Sequence, residues 1–408
     1  MRICFVSRRF FPAISGMSVY AVNLLRELVA AGHDVTMISQ YRGDAFGRRV
    51  YGGGPPPAVE GVRVIGLEQL GEQETGDFER DIAIIIDTIV SEHGRQPFDV
   101  LHAQYGYPCG WAVLEASRRI GVPNVVSIQG GDGHWVGSCC ETHRLAMVRV
   151  LDHANAVLIG CDSFRDEVVE RLGTDPGRFT IVPGAVDTSR FTPAALPHDT
   201  DGTAPVMLYH GRVDARKGVL DLLQACRQLK DSGDAFRLLI SGIGPTYDET
   251  AAAIETMQLA DCVEMTGYID YDQVPEIYRR ATIFASPTYA EGFSNTILEA
   301  MASRLAVVSC RSVGVVDCIR DGENGLLTEP GDQVALAAAL RRVLRDVALR
   351  NRLAEAGLRE CREVYSWQKV GGQIMDVYAD IVGRRPDTDY PSDLPMTPCR
   401  FRAEPHLL

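Results

Sequence analysis

The sequence predicts an α/β protein made of two Rossmann-like, doubly wound parallel-sheet domains that face each other across a cleft. Three observations carry this. Short apolar runs alternate with helical stretches from residue 1 to about 190, which is the signature of a parallel sheet covered by helices. The alternation breaks at 192–205, Thr-Pro-Ala-Ala-Leu-Pro-His-Asp-Thr-Asp-Gly-Thr-Ala-Pro, and then restarts. The 408 residues also exceed what one hydrophobic core supports, so two domains of about 150–200 residues each are expected.

The elements follow in order. Residues 3–7 read as a strand. Residues 19–31 carry Val22, Leu25 and Val29 at helical spacing, with Leu24 and Leu28 beside them and Gly32 as a stop. Further strands are expected at 35–39, 62–66, 100–103, 124–129, 156–160 and 180–182, with helices between most of them. After the break come strands at 206–209, 237–241, 262–266, 283–285 and 306–310. Helices are expected at 219–229, near 247–257, at 274–280 and from about 297. The domains are therefore 1–195 and 205–365. A helix at about 366–382 is expected to pack back on the first domain. Residues 383–408, rich in Pro, Asp and Arg without periodicity, read as a disordered or loosely attached tail.

Composition narrows the function. A formal net charge of -13 argues against a nucleic-acid partner, which needs a basic face. It leaves room for a local basic pocket. Lysine occurs only at 217, 230 and 369, so Lys217 stands out among arginines. The 11 cysteines include no Cys-x-x-Cys pair and no metal-ligand spacing, so no metal is expected. They read as small buried hydrophobes in a reducing compartment. The first residues lack a signal peptide's apolar run, and no stretch reaches the ~18 apolar residues of a membrane span. A cytoplasmic protein is expected.

Three segments carry candidate chemistry. The strand at 283–285 leads into Ser286-Pro287-Thr-Tyr-Ala-Glu291-Gly292-Phe293-Ser294-Asn295-Thr296, and an apolar helix follows. A helix N-terminus that follows a strand end suits a phosphate. Glu299, in the first turn, leans back toward a hydroxyl pair such as a ribose diol, and Glu291 lies on the loop before it. The plain alternatives are a capping box, Thr296-x-x-Glu299, and a solvated acid at 291. The strand at 206–209 is followed by His210-Gly211-Arg212-Val-Asp-Ala-Arg-Lys217-Gly218, where an Arg fork and a Lys point charge can clamp a diphosphate. Ser241-Gly242-Ile243-Gly244-Pro245 follows the next strand as a glycine-bearing turn. All three lie at strand carboxyl ends of one unit, which in a parallel sheet form one rim.

These segments resemble the retaining nucleotide-sugar glycosyltransferases of family four, with their GT-B architecture. The resemblance runs from residue 1 to about 380. It rests on the Glu-x7-Glu spacing from Glu291 to Glu299, on Gly211-Arg212 … Lys217-Gly218, on Glu-Gly-Phe-Ser-Asn-Thr-Ile-Leu-Glu-Ala-Met-Ala, and on Asp321-Gly-Glu-Asn-Gly-Leu-Leu. Ser15-Gly16, Gly32-His33-Asp34-Val35, Asp99-Val-Leu-His-Ala103 and Val182-Pro-Gly-Ala-Val-Asp187 also fit. It implies that Arg212 and Lys217 grip the donor diphosphate, that Glu299 binds the ribose and that Glu291 holds the transferred sugar. It further implies that Gly211 and Gly292, with the backbone of Phe293, Ser294, Asn295 and Thr296, touch phosphate and sugar. Gly16 would let the first loop approach the phosphates, and Tyr268 would rim the base. The implied donor is a UDP-sugar, with a GDP-sugar next, used as co-substrate with no cofactor and no metal. The acceptor would be a glycan, a lipid-linked glycan or a small molecule.

The sequence departs from the family at Gln129-Gly130, where His-Gly is usual. His102, Gln129, Asp132 and His134 are the candidate sugar or acceptor contacts, with a satisfied strand-end histidine as the plain reading of His102. Competing functions are a glycoside hydrolase using Glu291 and Glu299 as its acid pair, and a nucleotide-sugar epimerase or donor-binding protein on the same fold. Arg8-Arg9-Phe10-Phe11 mixes charge and aromatics. It suggests either a peripheral membrane contact or an ordinary solvated loop.

Overall fold

The computed structural model describes residues 1–194 and 204–403. Most of the expected linker and the last five residues of the expected tail lie outside the described residues. The chain divides into two units. The first holds Met1–Ala45, Gly52–Pro183 and Val370–Leu408, and the second holds Phe46–Tyr51 and Gly184–Lys369.

Seven parallel strands form the sheet of the first unit: β1 (Arg2–Ser7), β2 (Asp34–Tyr41), β3 (Val62–Glu68), β4 (Val100–Gln104), β5 (Asn124–Ile128), β6 (Ala156–Ile159) and β7 (Phe179–Ile181). Their order is β3-β2-β1-β4-β5-β6-β7, a doubly wound sheet whose direction of winding reverses between β1 and β4. β1, β4 and β5 are buried at every position, because helices cover both faces. That is why these strands read as largely apolar runs, with buried polar residues such as His102 and Gln104 among them.

The second unit repeats the plan with β8 (Val206–His210), β9 (Arg237–Ser241), β10 (Val263–Gly267), β11 (Ile283–Ser286), β12 (Ala306–Cys310) and β13 (Leu326–Thr328), in the order β10-β9-β8-β11-β12-β13. Alternate residues of each strand feed opposite faces. Met207, Tyr209, Leu238, Ile240, Ile283 and Val308 join one core, with the helices Val219–Asp231 and Gln333–Arg345. Leu208, Leu239, Phe284 and Val307 join the other, with the helices Val274–Arg279 and Asn295–Ala302. Val186 and Phe191 belong to this second core, so the chain enters the second unit earlier than residue 195.

The helix Trp367–Ile381 packs back on the first unit as expected: from Val370 onward its residues belong there, and Tyr378 is fully buried against His102. One segment is used differently from the expectation. Residues 384–403 are not a loose tail. Tyr390 is buried on Trp111 and donates to the carbonyl of Leu114 at 3.2 Å. Thr142 and Thr397 exchange hydrogen bonds, and Arg402 forks onto Glu79 with both bonds at 2.8 Å. A few well-spaced anchors hold the segment, and such anchors leave no periodic signal.

Arg8 and Phe10 also differ from both readings of their segment. Phe10 is buried, and the Arg8 side chain is 2% exposed, bonded at 3.0 Å to a Glu72 carboxylate that is itself 1% exposed. Arg42 reaches the same Glu72 oxygen at 2.9 Å. The charge is an internal ion-pair network, which a lone basic-aromatic motif does not reveal. Among the described residues, no helix is long and apolar enough to cross a membrane.

Candidate active site

The reversal of winding in the second unit falls between β8 and β11, and ligands of such sheets bind beyond the strand ends at that point. The loops after β8, β9, β10 and β11 meet there. Their backbones extend the sheet: Gly211 N–H bonds Ser241, Val213 bonds Ile243 and Gly242 bonds Gly267, at 2.8–3.0 Å. The turns pack closely enough to require glycine. Gly242 has φ +129, and a Cβ there would lie 1.9 Å from the Gly211 carbonyl oxygen. Gly218, at φ +68, would bring a Cβ to 2.1 Å from the Pro287 carbonyl, so the loop after β8 rests directly on the loop after β11.

That contact joins the two best candidate residues. Lys217 Nζ donates to Glu291 Oε1 at 2.7 Å, with 29% and 16% of the side chains exposed. Arg212 stays 42% exposed, its Nε 3.3 Å from Asp214. Burial would raise the Asp214 pKa, but hydrogen bonds from Arg216 and the Arg216 and Arg212 charges hold it below its ordinary value. Three cations, Arg212, Arg216 and Lys217, thus stand beside two carboxylates, which leaves a local positive excess suited to a phosphate.

The helix beyond β11 begins at Asn295 with Ser294 as its N-cap, and no side chain caps it. The capping box from Thr296 to Glu299 does not form. Glu299 is buried, and it accepts from the Tyr278 hydroxyl at 2.8 Å. The same hydroxyl lies 3.2 Å from the Thr296 carbonyl oxygen. Burial raises the Glu299 pKa to about 7, although the Tyr278 bond and the Arg190 charge pull it down. Glu291 and Glu299 therefore differ in kind. The first is an ion-paired loop acid, and the second is a desolvated carboxyl poised near neutrality. Neither arrangement is that of two acids flanking a glycosidic bond.

Tyr268 lies in an aromatic group with Phe46 and Tyr51, ring centroids 5.0 and 6.1 Å away. Segment 46–51 belongs to this unit although it lies some 160 residues before β8. Arg48 accepts from Gly244 N–H at 3.0 Å, and the Tyr51 hydroxyl accepts from Ile243 N–H at 3.3 Å. Sequence reasoning missed this segment, as well as Tyr278 and Arg190. Only the aromatic-arginine run Phe46-Gly-Arg-Arg-Val-Tyr51 offered a signal for it.

The first-unit candidates separate. Both ring nitrogens of His102 are engaged, by Tyr378 and by Ser127, and burial lowers its pKa to about 3. The Asp132 carboxylate is buried and gathers the N–H groups of Gly106, Gln129 and Gly130 at 2.8–3.2 Å, so it shapes the loop after β5. His134 Nδ1 meets Glu167 at 2.9 Å and its ring packs on Phe164. Gln129 is half-buried and accepts from Gln104 at 2.8 Å. Gly16 opens the helix Gly16–Ala30, capped by Ser15.

The family model described as "Glycosyl transferase 4-like domain" matches residues 15–185, and "Glycosyl transferases group 1" matches 196–360. The chain is 27% identical over 405 residues to a glycogen synthase of Mycobacterium tuberculosis, covering 93% of this chain and 94% of that protein. It is 27% identical over 399 residues to a D-inositol 3-phosphate glycosyltransferase of Nocardioides sp., with 89% and 84% covered. In structure it resembles a sucrose-phosphate synthase from Thermosynechococcus elongatus, with a TM-score of 0.78, 23% identity, and 93% and 98% of the two chains covered. It also resembles Anabaena HepE in complex with UDP and glucose, with a TM-score of 0.71, 16% identity, and 93% and 100% covered.

Proposed function

The chain belongs to glycosyltransferase family four, and on that premise we propose that it moves a sugar from a nucleoside-diphosphate sugar to an acceptor hydroxyl with retention of configuration. One observation carries the reading: the Lys217–Glu291 pair sits on loops that meet at the switch point beside the uncapped N-terminus of Asn295–Ala302. Sugar departure builds negative charge on the leaving phosphate. Lys217, Arg212 and the helix N-terminus supply fixed positive charge for it, and such preorganised stabilisation is the main catalytic contribution. Glu291, on the same pair, offers acceptors for sugar hydroxyls. Glu299 takes the ribose, and Tyr268 with Phe46 and Tyr51 offers stacking faces for the base. Gly211, Gly292, Phe293 and Asn295 give backbone groups to phosphate and sugar. The leaving phosphate takes the acceptor's proton, so the proposed reaction uses no metal ion. Of the first-unit candidates, Gln129 is proposed as a substrate contact, because it is only half-buried, whereas the polar atoms of His102 and Asp132 are engaged within the fold and the largely buried His134 side chain has its Nδ1 on Glu167.

The donor is taken to be a UDP-sugar, with a GDP-sugar next. The relatives' names span a polymer and a small phosphate ester, so the acceptor is left as a glycan, a lipid-linked glycan or a small molecule. A cytoplasmic place of action goes with this reading. A thermal-shift series against nucleotide-sugars tests it. A true donor at a hundredfold excess over its Kd stabilises by about 2.7 kcal/mol. Lys217→Ala should then reduce turnover about 10²–10³-fold. No response to any nucleotide-sugar, or near-wild-type turnover in both Lys217→Ala and Glu291→Ala, would sink the assignment. Isotope exchange in the sugar without any acceptor would point to an epimerase instead.

A further inference from the structure

We propose that the first unit carries a structural zinc site built from Cys139, Cys140, His143 and Cys399. Each of the four offers one ligand atom, and these atoms all lie within 4.8 Å of one another. The His143 Nδ1 lies 3.2 Å from the Cys139 sulfur and 3.7 Å from that of Cys399. A tetrahedral site with Zn–S bonds of about 2.3 Å puts its sulfurs about 3.8 Å apart, so the group needs only small side-chain adjustments to close on the metal. Three cysteines and one histidine are a common structural zinc set.

The ligands stand on fixed elements. Cys140 is the N-cap of the helix Glu141–His153, its sulfur accepting from the His143 N–H, and a helix N-terminus favours the thiolate. His143 lies in the first turn of the same helix. Its ring is buried and held between Tyr107, at 4.4 Å, and Phe78, at 5.7 Å, which turns Nδ1 toward the sulfurs. Among the described residues its Nε2 has no hydrogen-bond partner, so Nδ1 is the nitrogen with a task. Cys399 precedes the short helix Arg400–Ala403 and is placed by the neighbouring Thr142–Thr397 and Arg402–Glu79 contacts. The other eight cysteines join no such group among the described residues.

The fourth ligand comes 256 residues after His143, so no local motif announces the site. The expectation of no metal-ligand set rested on local spacing alone, and the proposed site departs from it. The site's task is to fasten residues 384–403 onto the first unit. It is separate from the transfer chemistry and does not make that reaction metal-dependent. Binding replaces thiol protons by the cation, releasing up to three protons to solvent. A disulfide would use two of the sulfurs and leave the third and the imidazole without a role.

The full chain, produced in zinc-supplemented medium and purified under reducing conditions without chelator, should hold about one zinc per chain by elemental mass spectrometry. Cobalt exchanged into it should show thiolate-to-metal charge transfer and the intense visible absorption of a tetrahedral site. Cys399→Ser should lower the zinc content at least tenfold, and Cys262→Ser should leave it unchanged. The cobalt spectrum of the unaltered chain decides the matter even if Cys399→Ser does not fold. Less than a tenth of an equivalent of zinc, a weak octahedral cobalt spectrum, or a Cys399 disulfide in peptide maps under non-reducing conditions would each overturn the proposal.

Discussion

Glu299 gives the sharpest test of the donor site, because the fold holds it near neutrality. Its pKa is raised from 4.5 to about 7 by burial. A carboxyl raised in the folded state stabilises the free protein below its unfolded pKa. That contribution is lost as pH climbs through 7, and ionising the carboxyl in place is worth roughly 3 kcal/mol. A ribose diol that donates to the carboxylate lowers this pKa again, so binding and ionisation are linked. If the ionised form is the one that binds, the apparent Kd scales as 1 + 10^(pKa − pH). It is then about tenfold larger at pH 6 than at pH 8. Calorimetric titration with a UDP-sugar reads this cleanly, since both phosphates are esterified and do not titrate near neutrality. Binding at pH 7 should release about half a proton, seen by comparing buffers of different ionisation enthalpy. Glu299→Gln should remove the pH dependence. It should also weaken binding by about 1.5–3 kcal/mol, the worth of a hydrogen bond to a charged group. A flat Kd between pH 6 and pH 8 with no proton release would refute the ribose role, even if the chain proved to be a transferase.

Other expectations follow from the packing. Gly242→Ala should destabilise the second unit by about 1–3 kcal/mol in urea unfolding, because its Cβ would meet the Gly211 carbonyl at 1.9 Å in a left-handed backbone. An unchanged midpoint would show that the two turns are looser than described. Glu72→Ala should remove about 3–5 kcal/mol by taking away the buried carboxylate that Arg8 and Arg42 share, and a loss under 1 kcal/mol would rule out a tight network. Tyr390→Ala should remove about 3–5 kcal/mol from the first unit if residues 384–403 are part of its core, whereas a loose tail predicts a change within about 0.5 kcal/mol.

What the sequence disclosed follows from where each signal originates. The central strands are buried on both faces, so β1, β4 and β5 in the first unit and β8 and β11 in the second appear as apolar runs without any knowledge of partners. The loops after β8 and β11 carry Lys217 and Glu291 because both ends of one switch point need charged groups, and strand ends can be located from the runs. β13, only three residues long, has no period to read. The remaining omissions are pairings between distant segments. Tyr278 reaches Glu299 from 21 positions away, and Tyr51 reaches Ile243 from 192 positions away. The same reason hid the tail. Tyr390, Thr397 and Arg402 are single anchors in a Pro-Asp-rich stretch, and each gains its meaning only from Leu114, Thr142 or Glu79.

These pairings also divide the candidate residues by task. His102, Asp132 and Arg8 looked chemical because they are polar residues at strand ends or in loops beyond them. Each is buried with its hydrogen bonds made inside the fold. A buried polar group whose polar atoms are all bonded within its own unit, as both ring nitrogens of His102 are, is held for structure, since breaking those bonds to serve a ligand would expose the desolvation penalty; Glu299, bonded by Tyr278 through Oε2, is not spent in this way. Arg212, 42% exposed at the rim, keeps donors to offer a phosphate. Lys217 and Glu291 are intermediate: paired with each other at 2.7 Å but partly open to solvent, they can exchange that bond for charged and hydroxyl groups of a donor at small net cost. Partial exposure with a replaceable partner separates the second unit's rim from the engaged residues of the first, and it is why the donor assignment rests on Lys217 and Glu291.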